Sequence, residues 1–254
     1  MPSSTSDFAQ LYNRYQDQLV CDLDFETYFT ANQIGDTPLS LLELGLLHCP
    51  SGKIVAGDPC VELEDIEPFY ETIPPGNYPV KLCVAHTKDS GFRYACVKLC
   101  VSDKRPISYK LAVNSTTDLT VLDDDDGQLD CGFGVNTAMA CLVDYQGQQE
   151  FKKIWEQIIS EDPEAEDPYE ELFADCLLRS YQEHPAFQRN LGEWCNFTIG
   201  QTKLNIIMFS SGWGDGIYPS FFGYDESGKI CALYVNFMKN NAILQSNIYY
   251  NIKI

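Results

Sequence analysis

Histidine is scarce in this chain: only His48, His86 and His184 occur among 254 residues. Basic residues are outnumbered, 17 lysines and arginines against 37 aspartates and glutamates. No basic patch with interleaved aromatics exists, so a nucleic-acid-binding protein is not expected. A surplus of negative charge also repels anionic membranes. No apolar run approaches the ~20 residues that a spanning helix needs. The first residues, Met1-Pro-Ser-Ser-Thr-Ser-Asp, lack the basic and apolar regions of a secretory signal, so a cytoplasmic location is expected.

Motifs that carry chemistry are missing as well. The chain has no G-x-S-x-G, no H-E-x-x-H and no G-x-x-x-x-G-K, which removes the common signatures of hydrolytic serine, zinc protease and phosphate-loop sites. His48 adjoins Cys49, but neighbours on a strand point to opposite faces and make no dyad. Gly212-Trp-Gly-Asp-Gly is glycine-rich, yet a strand pattern follows where a dinucleotide fingerprint needs a helix. Around Gly127 an EF-hand reading fails, because its first and last ligand positions fall on Leu122 and Phe133. Neither a metal nor a cofactor is expected.

What is present describes a folding chain: 44% hydrophobic and 13% aromatic residues exclude a disordered protein. Eleven cysteines are an odd number scattered singly through strand and helix patterns, which opposes a disulfide framework. No second pair accompanies Cys96 and Cys100, so the thiols read as small buried hydrophobes in a reducing compartment.

The net charge of -20 is unevenly placed. Between Leu111 and Leu178 stand 17 acids and two bases, Lys152 and Lys153, so that segment alone carries -15. Two clusters dominate it. One is Asp123, Asp124, Asp125 and Asp126; the other is Glu161, Asp162, Glu164, Glu166, Asp167, Glu170 and Glu171. Such a field is a solvated face, a docking surface that speeds encounter with a basic protein, or a cation-binding site.

Apolar spacing predicts an N-terminal helix over residues 7–19 with Phe8, Leu11, Tyr12, Tyr15 and Leu19 on one face. A second short helix is expected from Pro38 to Leu47. Strands then follow at Lys53–Ala56, Tyr78–Ala85 and Arg93–Val101, with Ala95, Val97, Leu99 and Val101 sharing one face. Residues 107–122 offer two more short strands. Helices are predicted at Gln148–Ser160 and Pro168–Glu183, their apolar stripes packing on a sheet. Leu204–Phe209, Ile217–Tyr224 and Lys229–Phe237 return to strands, the last two joined by the turn Asp225-Glu226-Ser227-Gly228, and Ile243–Ile252 reads as an edge strand. The expected fold class is α+β, mainly antiparallel sheet, in one sheet or two packed sheets, with a few helices on one side. No repeat or linker interrupts residues 1–254, which read as one domain with an acidic helical insertion at about 145–185.

Carboxylates near glycine or at strand ends, Asp58, Asp144 and Asp215, could together hold a divalent cation or share acid/base work. Asp58 and Asp215 could equally hydrogen-bond their own turns.

Gly57-Asp-Pro, Ile73-Pro-Pro-Gly-Asn-Tyr-Pro-Val, Phe133-Gly-Val-Asn with Asp144 beyond it, Ser211-Gly-Trp-Gly-Asp-Gly-Ile-Tyr-Pro and Gly223-Tyr-Asp-Glu-Ser-Gly occur in this order. The chain thereby resembles the bacterial domain-of-unknown-function family 4241 over about residues 40–238. Two positions depart from the family pattern: Asn136 and Asn236 stand where aspartate is usual. The family carries no established activity, and its members resemble those found near polymorphic toxins. The resemblance therefore implies an immunity protein whose partner is a cognate, basic toxin. Its docking surface would be the two acidic clusters with Tyr145, Trp155 and Tyr169 as aromatic anchors. A metal-dependent hydrolase using Asp58, Asp144 and Asp215, and an interaction module without a toxin, are the alternative readings.

Overall fold

The structure is a computed structural model that describes residues 5–61, 63–124, 129 and 132–238. The chain opens with α1 (Thr5–Tyr15), β1 (Val20–Cys21), α2 (Thr27–Thr30), β2 (Gln33–Ile34), β3 (Thr37–Cys49) and β4 (Ile54–Gly57). Next come β5 (Gly76–Thr87), β6 (Gly91–Cys100), β7 (Ser108–Leu111), β8 (Phe133–Val135) and β9 (Met139–Asp144). Helices α3 (Tyr145–Glu161) and α4 (Ala174–Glu183) precede β10 (Trp194–Thr198), β11 (Asn205–Ser210), β12 (Gly216–Tyr218), β13 (Ser220–Tyr224) and β14 (Ile230–Asn236).

All sheet pairs are antiparallel. The larger sheet has the order β1-β7-β13-β14-β6-β5-β3-β2 and the smaller β10-β11-β9-β4, while β12 and β8 form a separate ribbon. Period-2 alternation explains how the two sheets pack. In β9, Ala140 and Leu142 face inward with Ile207 and Phe209 of β11, against Val97 and Leu99 of β6 and Leu233 and Val235 of β14. Their alternates, Met139, Cys141, Val143, Ile206 and Met208, face outward onto Phe151, Phe173 and Leu177 of the α3–α4 region. On the far side of the larger sheet, Ala232 and Tyr234 pack under Phe8, Tyr12, Tyr15 and Leu19, the apolar face read from the sequence. The fold is thus α+β with two packed antiparallel sheets, and helices cover both outer faces: α1 and α2 on one, α3 and α4 on the other.

Several expectations change. The helices, expected on one side, cover both outer faces. The strand expected at Ile217–Tyr224 divides at Pro219 into β12 and β13, which join different sheets. Pro38–Leu47 is not a helix but most of β3, which pairs with β5 from Leu39↔Ala85 to Cys49↔Gly76. Leucine and glutamate favour helix locally, but a long partner strand satisfies the backbone and outweighs that preference. Residues 107–122 supply one strand, β7, and a short 3-10 turn at Leu119–Asp123. In β6 the alternation breaks at a bulge, because Cys96 pairs with Cys83 and Tyr94 with Val84. Ala95 is the extra residue, so Tyr94 joins Val97 and Leu99 in the inter-sheet core. The edge strand expected at Ile243–Ile252 lies outside the described residues.

The ten described cysteines are free, and Cys49, Cys83, Cys96, Cys141, Cys195 and Cys231 are buried. Among the described residues no helix is long and apolar enough to cross a membrane.

Candidate functional site

The three aspartates singled out from the sequence act on the backbone. Asp58 follows β4 and is buried. One of its oxygens accepts from the amides of Asn136 and Thr137 at 2.9 and 2.8 Å, the other from the Cys60 amide at 2.9 Å, and the Thr137 hydroxyl reaches both. Asp215 approaches the same connection from the other side, accepting the Ala138 amide at 3.1 Å. Ala138 has φ +56, a left-handed conformation that needs such support in a residue bearing a Cβ. The backbone between β8 and β9 is therefore gripped by two carboxylates, one from each of two glycine-rich blocks.

Asp144 caps α3, accepting the Gln146 amide at 2.9 Å, as aspartate does at a helix N-cap. Its second oxygen takes the Ser51 and Gly52 amides, each at 3.1 Å, and the Ser51 hydroxyl at 2.8 Å. Ile54 pairs with Asp144, while Gly57 pairs with Cys141. Asp58 and Asp144 hence lie at opposite ends of β4, roughly 13 Å apart along the strand. The three carboxylates do not converge, and among the described residues no group of three or more His, Cys, Asp or Glu side chains could hold a metal ion. Ser51 and Thr137, which saturate the two buried aspartates, drew no notice in the sequence, since hydroxyls carry no periodic signal.

The neighbouring thiols are pushed toward their protonated form. Burial, and then the charge of Asp58, push the Cys60 thiol up to about 12. Burial followed by the charge of Asp144 raises Cys49 well above the ordinary thiol range. Cys49 is buried and His48 turns its ring to Asn77, so no dyad forms between them.

The acidic segment is divided between layers. Asp123 and Asp124 end the 3-10 turn whose Leu119 and Leu122 pack with the N-terminal helix, and Arg14 pairs with Asp123 at 2.8 Å. Asp125 and Asp126 lie outside the described residues. The cluster from Glu161 to Glu171 occupies the end of α3, the connection to α4 and a π-helical turn at Tyr169–Phe173, on the opposite outer face. Asp162 and Asp167 shape this connection by accepting the amides of Glu164 and Glu170 at 3.1 and 3.0 Å. Among the described residues no basic side chain pairs with any of its seven carboxylates. Lys152 is held by Asp65 at 2.9 Å and Lys153 by Glu150 at 2.9 Å.

Tyr145, Trp155 and Tyr169 lie on this same face, half-buried against the core beneath α3 and α4. The structure thus places the second acidic cluster and the three aromatics in one layer and leaves Asp123 and Asp124 in another.

Comparison with the curated proteins and with the solved structures finds no match. A family model matches residues 47–235, the span that holds both sheets' central strands, the gripped β8–β9 connection and the acidic helical layer. This chain belongs to the family described as Protein of unknown function (DUF4241).

Proposed function

We propose that this protein is a binding protein of the immunity class, which acts in the cytoplasm by covering the active surface of a cognate, basic bacterial toxin. The observation that carries the reading is the acidic cluster at Glu161–Glu171, with no basic partner among the described residues, in one layer with half-buried, packed aromatics. An acidic surface with its nearby lysines already engaged attracts a basic partner and can raise association rates by ~10 to 1,000-fold at low salt. Half-buried aromatics add contact area at small entropic cost, because packing already holds them. The docking surface is narrower than the whole acidic segment: it comprises residues 161–171 with Tyr145, Trp155 and Tyr169. The buried aspartates of the family motifs support the same reading, since their oxygens are occupied by backbone donors.

The test takes as candidate partner a basic protein encoded near this chain whose expression stops growth. Changing the seven carboxylates of 161–171 to their amides should weaken toxin binding by at least about tenfold at low salt and flatten its salt dependence. It should also abolish growth protection. Unchanged affinity and salt dependence would remove the proposal.

A further inference from the structure

Among the described residues β3 pairs on its outer side only with β2, at Thr37 and Pro38, so the far end of β3 is an edge of the larger sheet there. Its outward backbone groups are met by side chains of the smaller sheet. Asn205 accepts the His48 amide at 2.9 Å and donates to the Leu46 carbonyl at 2.9 Å. Asn205 also donates to Asn196 Oδ1 at 2.6 Å. Gly45 permits this approach with φ +106, and a Cβ there would stand 2.6 Å from Asn196 Nδ2. Closing a sheet edge accounts for both asparagines.

It does not account for the rest of the groove that opens there, about 530 Å³ in volume. The His48 ring is fixed twice, through its backbone and through Nδ1, which lies 2.5 Å from Asn77 Oδ1. With Nδ1 donating to that carbonyl oxygen, Nε2 is an acceptor without a partner among the described residues, and Asn77 keeps both amide hydrogens. Thr198 and Lys203 complete the wall, and their side chains have no polar partner among the described residues. In a chain of 37 acids and 17 bases, no carboxylate among the described residues lines this groove.

We infer that the groove binds a phosphate group carried on a small molecule or free in solution. The Lys203 ammonium, the Asn77 amide and the Thr198 hydroxyl, from three chain segments, are donors around one opening, which suits a tetrahedral oxyanion with several acceptor oxygens, and His48 Nε2 can accept from a phosphate oxygen that carries a proton. A cation finds no carboxylate there, and a planar carboxylate would leave donors unused. This site lies away from the acidic layer, and its test does not depend on a toxin.

The full chain is titrated with inorganic phosphate, glucose 6-phosphate, acetate and glucose at constant ionic strength, following backbone amide and histidine ring signals by NMR. Saturable shifts at His48, Asn77 and Lys203 are expected with the two phosphates and not with acetate or glucose. A response to inorganic phosphate alone would identify the free anion as the ligand. Lys203→Met should weaken binding by about tenfold, the loss of one charge-assisted hydrogen bond, while Lys203→Arg retains it. Lys203 is exposed, so both variants should melt as the parent does. Absence of a saturable phosphate response, equal binding by Lys203→Met, or an equal response to glucose would overturn the assignment.

Discussion

Thr137 sets its amide 2.8 Å from one oxygen of Asp58 and its hydroxyl 2.8 Å from the other, across 79 residues of sequence. That pairing fixes the β8–β9 connection against the end of β4 and turns the acid of a glycine turn into a structural clamp.

Asp58→Asn should therefore destabilise the fold by about 2–3 kcal/mol, because an amide keeps one acceptor and adds a buried donor facing donors. Asp215 is exposed and accepts one amide, so Asp215→Asn should cost under about 1 kcal/mol. Urea denaturation of both variants checks the contrast. Equal losses would show that the clamp does not depend on Asp58.

Lys98 and Glu26 form a buried pair at 2.6 Å on the outer face of the larger sheet, and Tyr234 donates to the same Glu26 oxygen. The ammonium also lies 5.7 and 5.6 Å from the rings of Phe29 and Tyr234. Lys98→Ala leaves a carboxylate buried without its countercharge and should cost about 3–5 kcal/mol. The double variant Glu26→Gln, Lys98→Met should recover much of that loss. If the double variant is as unstable as the single one, packing rather than charge is the cause.

Burial pushes the Cys83 thiol up to about 12 and the Cys231 thiol, beside Asp225, up to about 11. Tyr94 is raised by burial and then by Glu193, and Tyr234 by burial and then by its bond to Glu26. Each raised group stays protonated in the fold where the unfolded chain ionises, near 8.5 for thiols and ~10 for phenols. Their stabilisation is complete below those values and is lost as pH rises through them toward the folded values. Under reducing conditions the urea midpoint should hold to about pH 8 and fall between about 9 and 11. A midpoint that stays level to pH 11 would contradict this.

Gly212 belongs to the motif Ser211-Gly-Trp-Gly-Asp-Gly-Ile-Tyr-Pro, and its place is steric. A Cβ there would stand 2.2 Å from the Tyr94 carbonyl oxygen and 2.9 Å from Phe237 Cβ. Gly212→Ala should cost about 2–3 kcal/mol. Gly214 has φ +81 with open space around it, so Gly214→Ala should cost only the ~1 kcal/mol of a left-handed backbone. Thermal melts that rank the two in reverse order would refute the packing account.

Much of this architecture is local and was legible. Phe8, Tyr12, Tyr15 and Leu19 bury the stripe that helical spacing predicts, and α3 and α4 turn their apolar stripes to a sheet. Asp225 closes its hairpin by accepting the amides of Ser227 and Lys229 at 2.8 and 3.1 Å. These features depend on residues within a few positions of one another, so alternation, spacing and turn chemistry determine them. Other features were decided only in the folded chain. β3 became a strand because β5 offers it a partner, and Tyr94 changed face because the ladder absorbs one extra residue at Ala95. Asp123 and Asp124 went to the layer opposite the Glu161–Glu171 cluster because the leucines beside them pack with α1 while α3 and α4 carry the second cluster. Partner choice and burial arise from contacts between distant segments, and no local pattern of residue types encodes them.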